Sequence, residues 1–436
     1  MKICLVTAFP PSGRQLNEYA FHVASELQRN PLISLTILGD KLTHYDWATD
    51  DKGQPLQQQS ELPGFDVIRC WDFNRLTTPV NLLRAINRVR PDVVWFNLVY
   101  STFATQAHPA AAFAGLSAPA LTRALGYYTH VTLHHILEHV DFAGAGVRQE
   151  RLFRLGSEMA TRTLLCANSI SVLLSGYRRT LMKKYSAQNV LLGTHGIFAR
   201  CPVAPDFSRR GNPDHRILAI GHWGTYKRLE TLMEAFPAVL KEVPTARLII
   251  GGANHHTKPG YWESIRDAHR DNSRIEFRGY IAEDDIPELF KTASVLVTPY
   301  DSATGSSGPA HQACEYGVPI VSADIIDFRN MAADEDMAIS FYKTGDAEDL
   351  AGQLITLLKS PEAQRQAAHQ NFGSAIRMTM PNVVDHYLRW FELARRKRVL
   401  RALTRNRFSS SRPAFRSLHW YPSRPARPTD RTNSDE

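Results

Sequence analysis

The chain has 436 residues, 43% hydrophobic and 22% charged, with a formal net charge of +8. This length predicts two to three domains with sizeable cores. No run of about 18 apolar residues is present, which argues against a membrane-spanning helix. Five scattered cysteines (Cys4, Cys70, Cys166, Cys201 and Cys314) without a C-x-x-C pair argue against a zinc centre and for free thiols in a reducing cytoplasm.

In chain order, "MKICLVTAFPPSG" reads as a first strand, not a signal peptide. Residues 16–27 carry an apolar helical stripe of Leu16, Tyr19, Val23 and Leu27. Strands are predicted at 34–39, 65–71 and 92–98, then a helix over 107–124, then strands at 130–135, 169–175 and 189–193. The Pro- and Arg-rich segment 201–214 reads as a linker between a first domain, 1–200, and a second, 215–378. In the second domain, strands at 215–223, 246–252, 274–280, 294–300 and 318–324 alternate with helices at 228–241, 259–270, 283–292 and 307–316, and a helix pair covers 346–375. Continuous apolar strands alternating with helices predict two doubly wound parallel sheets, an α/β class whose ligands bind beyond the carboxyl ends of the strands. A helix over 379–398 follows, then a basic tail, 399–436. Arg395–Glu436 holds twelve Lys/Arg against three Asp/Glu, so the rest of the chain is nearly neutral. The mixed basic and apolar run 394–408 suits an anionic membrane surface or simple solvation; nucleic acid is not expected.

Four post-strand loops carry candidate chemistry. In "FPPSGRQ" Gly13 permits close backbone approach, or marks a plain turn. In "TLHHILEHVD" His134 ends a strand, where a histidine binds a hydroxyl, moves a proton or is structural; His135 and His139 do not form H-E-x-x-H, so no metal is expected. In "GHWGTYKRLETLMEAF" Lys227 and Arg228 stand near a helix start, a costly place for cations unless an anion such as a diphosphate binds there. In "TGSSG" the amides of 304–308 and the hydroxyls of Ser306 and Ser307 offer donors to a phosphate, or Thr304, Ser306 or Ser307 caps the next helix.

The spacing of "GHWGTYKRLETLMEAF", "LIIGG", "FRGYIAEDDIPELFKTASVLVTPY" and "QACEYGVPIVSAD" resembles glycosyltransferase family 4, most strongly over 215–325. The resemblance implies a GT-B fold, with two Rossmann-like domains facing a central cleft and a C-terminal crossover helix. It also implies retaining transfer from a nucleotide-sugar without a metal or other cofactor. The family's diphosphate-binding lysine falls on Lys227, and its arginine is replaced by His222, with Arg228 as a compensating cation. Its two glutamates fall on Thr304 and Gln312, so both carboxylates are missing; Asp301 is the nearest substitute, and an amide at Gln312 can still serve a ribose. The family's strand-end histidine falls on His134, its paired glycines on Gly13 and Arg14, and its "NG" turn on His195–Gly196. The resemblance thus implies catalytic His134, Lys227 and Asp301. It implies donor contacts from His222, Lys227, Arg228, Thr304, Gly305, Ser306, Ser307, Gly308 and Gln312, and acceptor-side contacts from Gly13, Arg14 and His134. A hexose would move from a nucleoside diphosphate-sugar to a saccharide or lipid-linked saccharide, in surface polysaccharide or glycolipid assembly at the cytoplasmic face of the membrane. The missing carboxylates keep open an alternative, an inactive nucleotide-sugar-binding partner.

Overall fold

The computed structural model describes residues 1–42, 64–139, 150–209, 214–255, 258–302 and 305–408. Strands and helices alternate from the start: β1 (Lys2–Val6), α1 (Asn17–Arg29), β2 (Ser34–Asp40), β3 (Val67–Trp71), α2 (Thr78–Val89), β4 (Val93–Leu98), α3 (Pro109–Ala124), β5 (Tyr128–Leu133), α4 (Glu150–Leu164), β6 (Ser169–Val172), α5 (Ser175–Tyr185) and β7 (Val190–Leu192). The alternation resumes with β8 (Arg216–Trp223), α6 (Glu230–Glu242), β9 (Arg247–Asn254), α7 (Tyr261–His269), β10 (Ile275–Gly279), α8 (Ile286–Thr292), β11 (Val295–Thr298), α9 (Gly308–Glu315), β12 (Ile320–Ala323), α10 (Ile326–Glu335) and β13 (Ile339–Tyr342). The helices α11 (Ala347–Leu358), α12 (Pro361–Arg377) and α13 (Met380–Phe408) close the described chain.

The strands form two parallel sheets. The first has the order β3-β2-β1-β4-β5-β6-β7 and the second β10-β9-β8-β11-β12-β13. Runs such as Val93–Leu98 are buried at every position, as expected of strands covered on both faces. Strand order reverses between β1 and β4 in one sheet and between β8 and β11 in the other, and a crevice opens beyond the strand ends at such a switch point. The loops after β1, β8 and β11 carry Gly13, Lys227 and the 305–307 stretch, so both crevices fall where the sequence motifs lie.

The returning chain is tied to the first sheet. Ile197 pairs with Thr379, and Gly196 (φ +81°) leaves room for Val383. Tyr387 packs its ring 4.5 Å from that of Trp95 and brings its hydroxyl to 3.2 Å from Ser171 Oγ. Compactness groups both sheets into one unit, Met1–Tyr387; the other unit is Leu388–Glu436.

Four helices and one strand were not predicted: α2, α4, α5, α10 and β13. In α4 Leu152, Leu155 and Met159 face solvent while Ser157, Ala160, Thr161 and Leu164 are buried, so its hydrophobic stripe misleads. The apolar run expected as a strand to Ser175 stops at Val172, and its end is the start of α5. The last helix continues to Phe408, beyond the predicted 398. The predicted tail from 409 onward lies outside the described residues.

Candidate functional site

Lys227 sits just past β8, at the carboxyl end of the second sheet. Its backbone pairs antiparallel with Tyr300, which follows β11. The stem runs past Gly221, and the ammonium lies 4.9 Å from the Tyr300 ring centre. No carboxylate among the described residues is within ion-pair distance of this half-buried cation, which leaves it available to an anion. Arg228 is different. It pairs with Glu230 (3.2 Å) and lies 3.6 Å from Asp301, so its charge is already balanced within the protein. Arg228, expected as a compensating cation, is thus an exposed side chain that already has two carboxylates beside it. The carboxyl of Asp301 is pushed up by burial, with Arg228 opposing, and is aimed at Arg228. His222 is exposed.

The stretch from Gly305 differs from expectation in an informative way. Thr304 lies outside the described residues. Gly305 (φ +79°) donates its N–H to Asp327 Oδ2 at 2.8 Å, so that amide is engaged inside the protein and is not presented to a phosphate. The Ser307 amide and the Ser306 hydroxyl rest on Met331 Sδ, at 3.4 and 3.8 Å. A thioether is a weak acceptor, readily exchanged for a phosphate oxygen. Ser307 Oγ caps α9 by accepting from the Ala310 amide (3.4 Å), with Gly308 at the helix's first position and Pro309 next. One turn on, half-buried Gln312 makes no side-chain hydrogen bond to any described residue, so its amide is free to meet a ligand.

Across the crevice, His134 ends β5. A Cβ placed on Gly305 would stand 3.0 Å from the His134 carbonyl oxygen and 3.2 Å from His135 Cβ, so the loops of the two sheets touch here. Asn97 gives its amide N–H to Thr7 Oγ1 (3.2 Å) and so turns Oδ1 towards His134. His134 Nε2–H donates to that oxygen at 2.7 Å, leaving Nδ1 as an acceptor. Burial pushes His134 down to about 3, with His135 contributing, so the ring is uncharged at neutral pH. Arg14, expected on the acceptor side, lies 3.6 Å from buried Asp40 and stacks 3.5 Å from the Phe73 ring centre. Its work is to hold the loop after β1. Gly13 beside it is exposed.

Sequence reasoning missed two buried groups. Asp327, at the start of α10, takes the Gly305 amide and also the Tyr177 hydroxyl from α5 (2.7 Å). His311 on α9 pairs with Glu335 at 2.9 Å, its ring 4.7 Å from that of His195 in the first half of the chain. Burial opposes the His311 charge, but Glu335 outweighs it and raises its pKa, whereas His195 is driven far down by burial. The only local signal for Asp327 was an acid set among Ile325, Ile326 and Phe328.

Residues 214–360 match the family model of glycosyl transferases group 1. Comparison with curated proteins returns no match. Among solved structures, Anabaena HepE in complex with UDP and glucose is 13% identical, over 90% of this chain and 99% of that one, with a TM-score of 0.63. Sucrose-phosphate synthase from Thermosynechococcus elongatus is 14% identical over 92% and 100%, with a TM-score of 0.67. The lipopolysaccharide outer core galactosyltransferase WaaB, in its apo form, is 14% identical over 89% and 98%, with a TM-score of 0.56. The chain therefore has the GT-B fold. More particularly, its second sheet lies within a stretch that matches group 1 glycosyl transferases.

Proposed function

We propose that the protein is a retaining glycosyltransferase of the family 4 type, moving a hexose from a nucleoside diphosphate-sugar to a saccharide or lipid-linked saccharide in surface polysaccharide or glycolipid assembly. The observation that carries this reading is Lys227: a half-buried cation, unmatched by any carboxylate among the described residues, at the switch point of the sheet that matches the group 1 model. The bond between the anomeric carbon and the β-phosphate oxygen breaks with its electron pair going to that oxygen, the acceptor oxygen takes the anomeric carbon, and the acceptor's proton passes to the leaving diphosphate. Negative charge grows on the leaving diphosphate, and a preplaced cation there lowers the barrier. The Ser307 amide and Ser306 hydroxyl add donors by leaving Met331, and Gln312 is placed to meet the ribose. Neutral His134 offers Nδ1 to a sugar hydroxyl. The structures of HepE with UDP and with UDP-glucose support the choice of donor class. The far end of α13, with Val399, Leu400 and Leu403 exposed among arginines, supports a lipid-linked acceptor.

Lys227→Met tests this. With a panel of nucleotide-sugars, transfer is expected to fall by about tenfold to a thousandfold; near-wild-type turnover at saturating donor sinks the assignment. The missing carboxylates at Thr304 and Gln312 favour a second reading, a nucleotide-sugar-binding partner. That reading gains if the wild-type chain binds UDP in calorimetry yet neither transfers nor hydrolyses any donor.

A further inference from the structure

One oxygen atom of the second sheet's half carries a bond from each side of the crevice. Asp327 Oδ2 receives the Gly305 N–H, from the loop after β11, and the Tyr177 O–H, from α5 of the first sheet's half. Asp327 and Tyr177 are both buried, at 0% and 1% exposure, so a carboxylate is being held out of water by these donors. His139 Nδ1 stands 3.8 Å from the other oxygen, and its Nε2 is 2.9 Å from Thr180 on α5. His135, from the same loop as His139, also feels the Asp327 charge.

The seam around this atom is polar. Arg179 donates to Asn330 Oδ1 (3.0 Å), and the Ser175 amide donates to Asp334 Oδ2 (2.7 Å), so the first turns of α5 are hydrogen-bonded along α10. Gly176 makes the approach possible: a Cβ there would meet the Asn330 amide nitrogen at 2.5 Å. Hydrogen bonds exchange for water at small net cost, about 1 kcal/mol each, so a seam of this kind can part and re-form. The junction at Gly196, Val383 and Tyr387 is packed instead and resists parting.

We infer that Asp327 and Tyr177 are positioning residues that make the conformation of the donor loop depend on apposition of the two halves. With the halves together, Tyr177 and Gly305 share Oδ2 and the loop is set. When the halves part, Asp327 Oδ2 loses the Tyr177 bond and turns to water, and the hold on the Gly305 amide weakens. Donor binding to the second half then reaches productive geometry only on closure. This rests on the glycosyltransferase reading for its consequence in catalysis, but the coupling itself is a property of the chain.

The test uses the full chain and two near-isosteric variants. Tyr177→Phe keeps the ring and removes the donor; Asp327→Asn keeps the shape and removes the charge. Hydrogen exchange of the Gly305 segment, without ligand, is expected to quicken about tenfold in Tyr177→Phe, whose change lies in the other half of the protein. Unchanged exchange there overturns the inference, and this readout needs no turnover. It therefore separates failure of the coupling from failure of the proposed function. With a competent donor, Tyr177→Phe is expected to lower kcat about tenfold while donor KM moves less than threefold. Asp327→Asn is expected to raise the Kd for UDP about tenfold. Loss of kcat in Tyr177→Phe that only tracks loss of folded protein by thermal melting, with normal Gly305 exchange, also overturns it.

Discussion

Replacing His134 by glutamine removes one titrating group whose contribution to pH-dependent stability follows from its surroundings. Burial holds the imidazole at about 3, against about 6.5 in an unfolded chain. The folded pKa is depressed, so the associated stability is present above pH 6.5 and is lost as pH falls towards 3. At pH 5 the unfolded chain carries nearly a full proton that the native ring refuses; at pH 7 it carries about a quarter of one. Integrating the linkage gives about 2 kcal/mol lost between pH 7 and pH 5. Glutamine does not titrate, so His134→Gln should lack that part of the decline, whatever its absolute stability. Urea unfolding of both proteins at pH 7 and pH 5 measures the double difference. His130, also buried and held at about 3, declines equally in both proteins and cancels. Parallel falls in the two proteins would refute the reasoning. For the proposed reaction the corollary is that the His134 ring is uncharged at neutral pH.

Further outcomes follow from particular contacts. Gln312→Ala should raise donor KM roughly tenfold with kcat within about threefold, the effect of one lost hydrogen bond to a bound ligand; an unchanged KM in steady-state kinetics removes Gln312 from the donor site. Gly252 has φ +109°, and a Cβ there would collide with the Gly221 carbonyl oxygen across β8 and β9. Gly252→Ala should therefore cost about 3 kcal/mol or more, and a wild-type midpoint in urea would contradict the geometry.

Much of the frame was legible in the chain. Apolar runs such as "KICLV" and "VVWFNL" are short, continuous and punctuated by helical stretches, and a parallel sheet is the structure that buries such runs on both faces. Lys227 was legible because its position relative to Gly221 and the next helix is a local matter. Helix α4 was not, because three of its large apolar side chains, Leu152, Leu155 and Met159, face solvent. The surroundings of Arg14 and Arg228 were legible only in part, because Asp40 and Asp301 are distant in sequence, whereas Glu230 lies two residues from Arg228.

By itself, then, the sequence determined most of the succession of strands and helices and which loops follow strands, since periodicity and spacing are carried by neighbouring residues; the switch points needed the strand order. Only the tertiary structure decided which donors in those loops are free. The Gly305 amide is taken by Asp327, which also holds Tyr177 from 150 residues earlier in the chain. Burial, likewise a property of the folded whole, sets His134 neutral, and the fold leaves Lys227 without a carboxylate partner among the described residues.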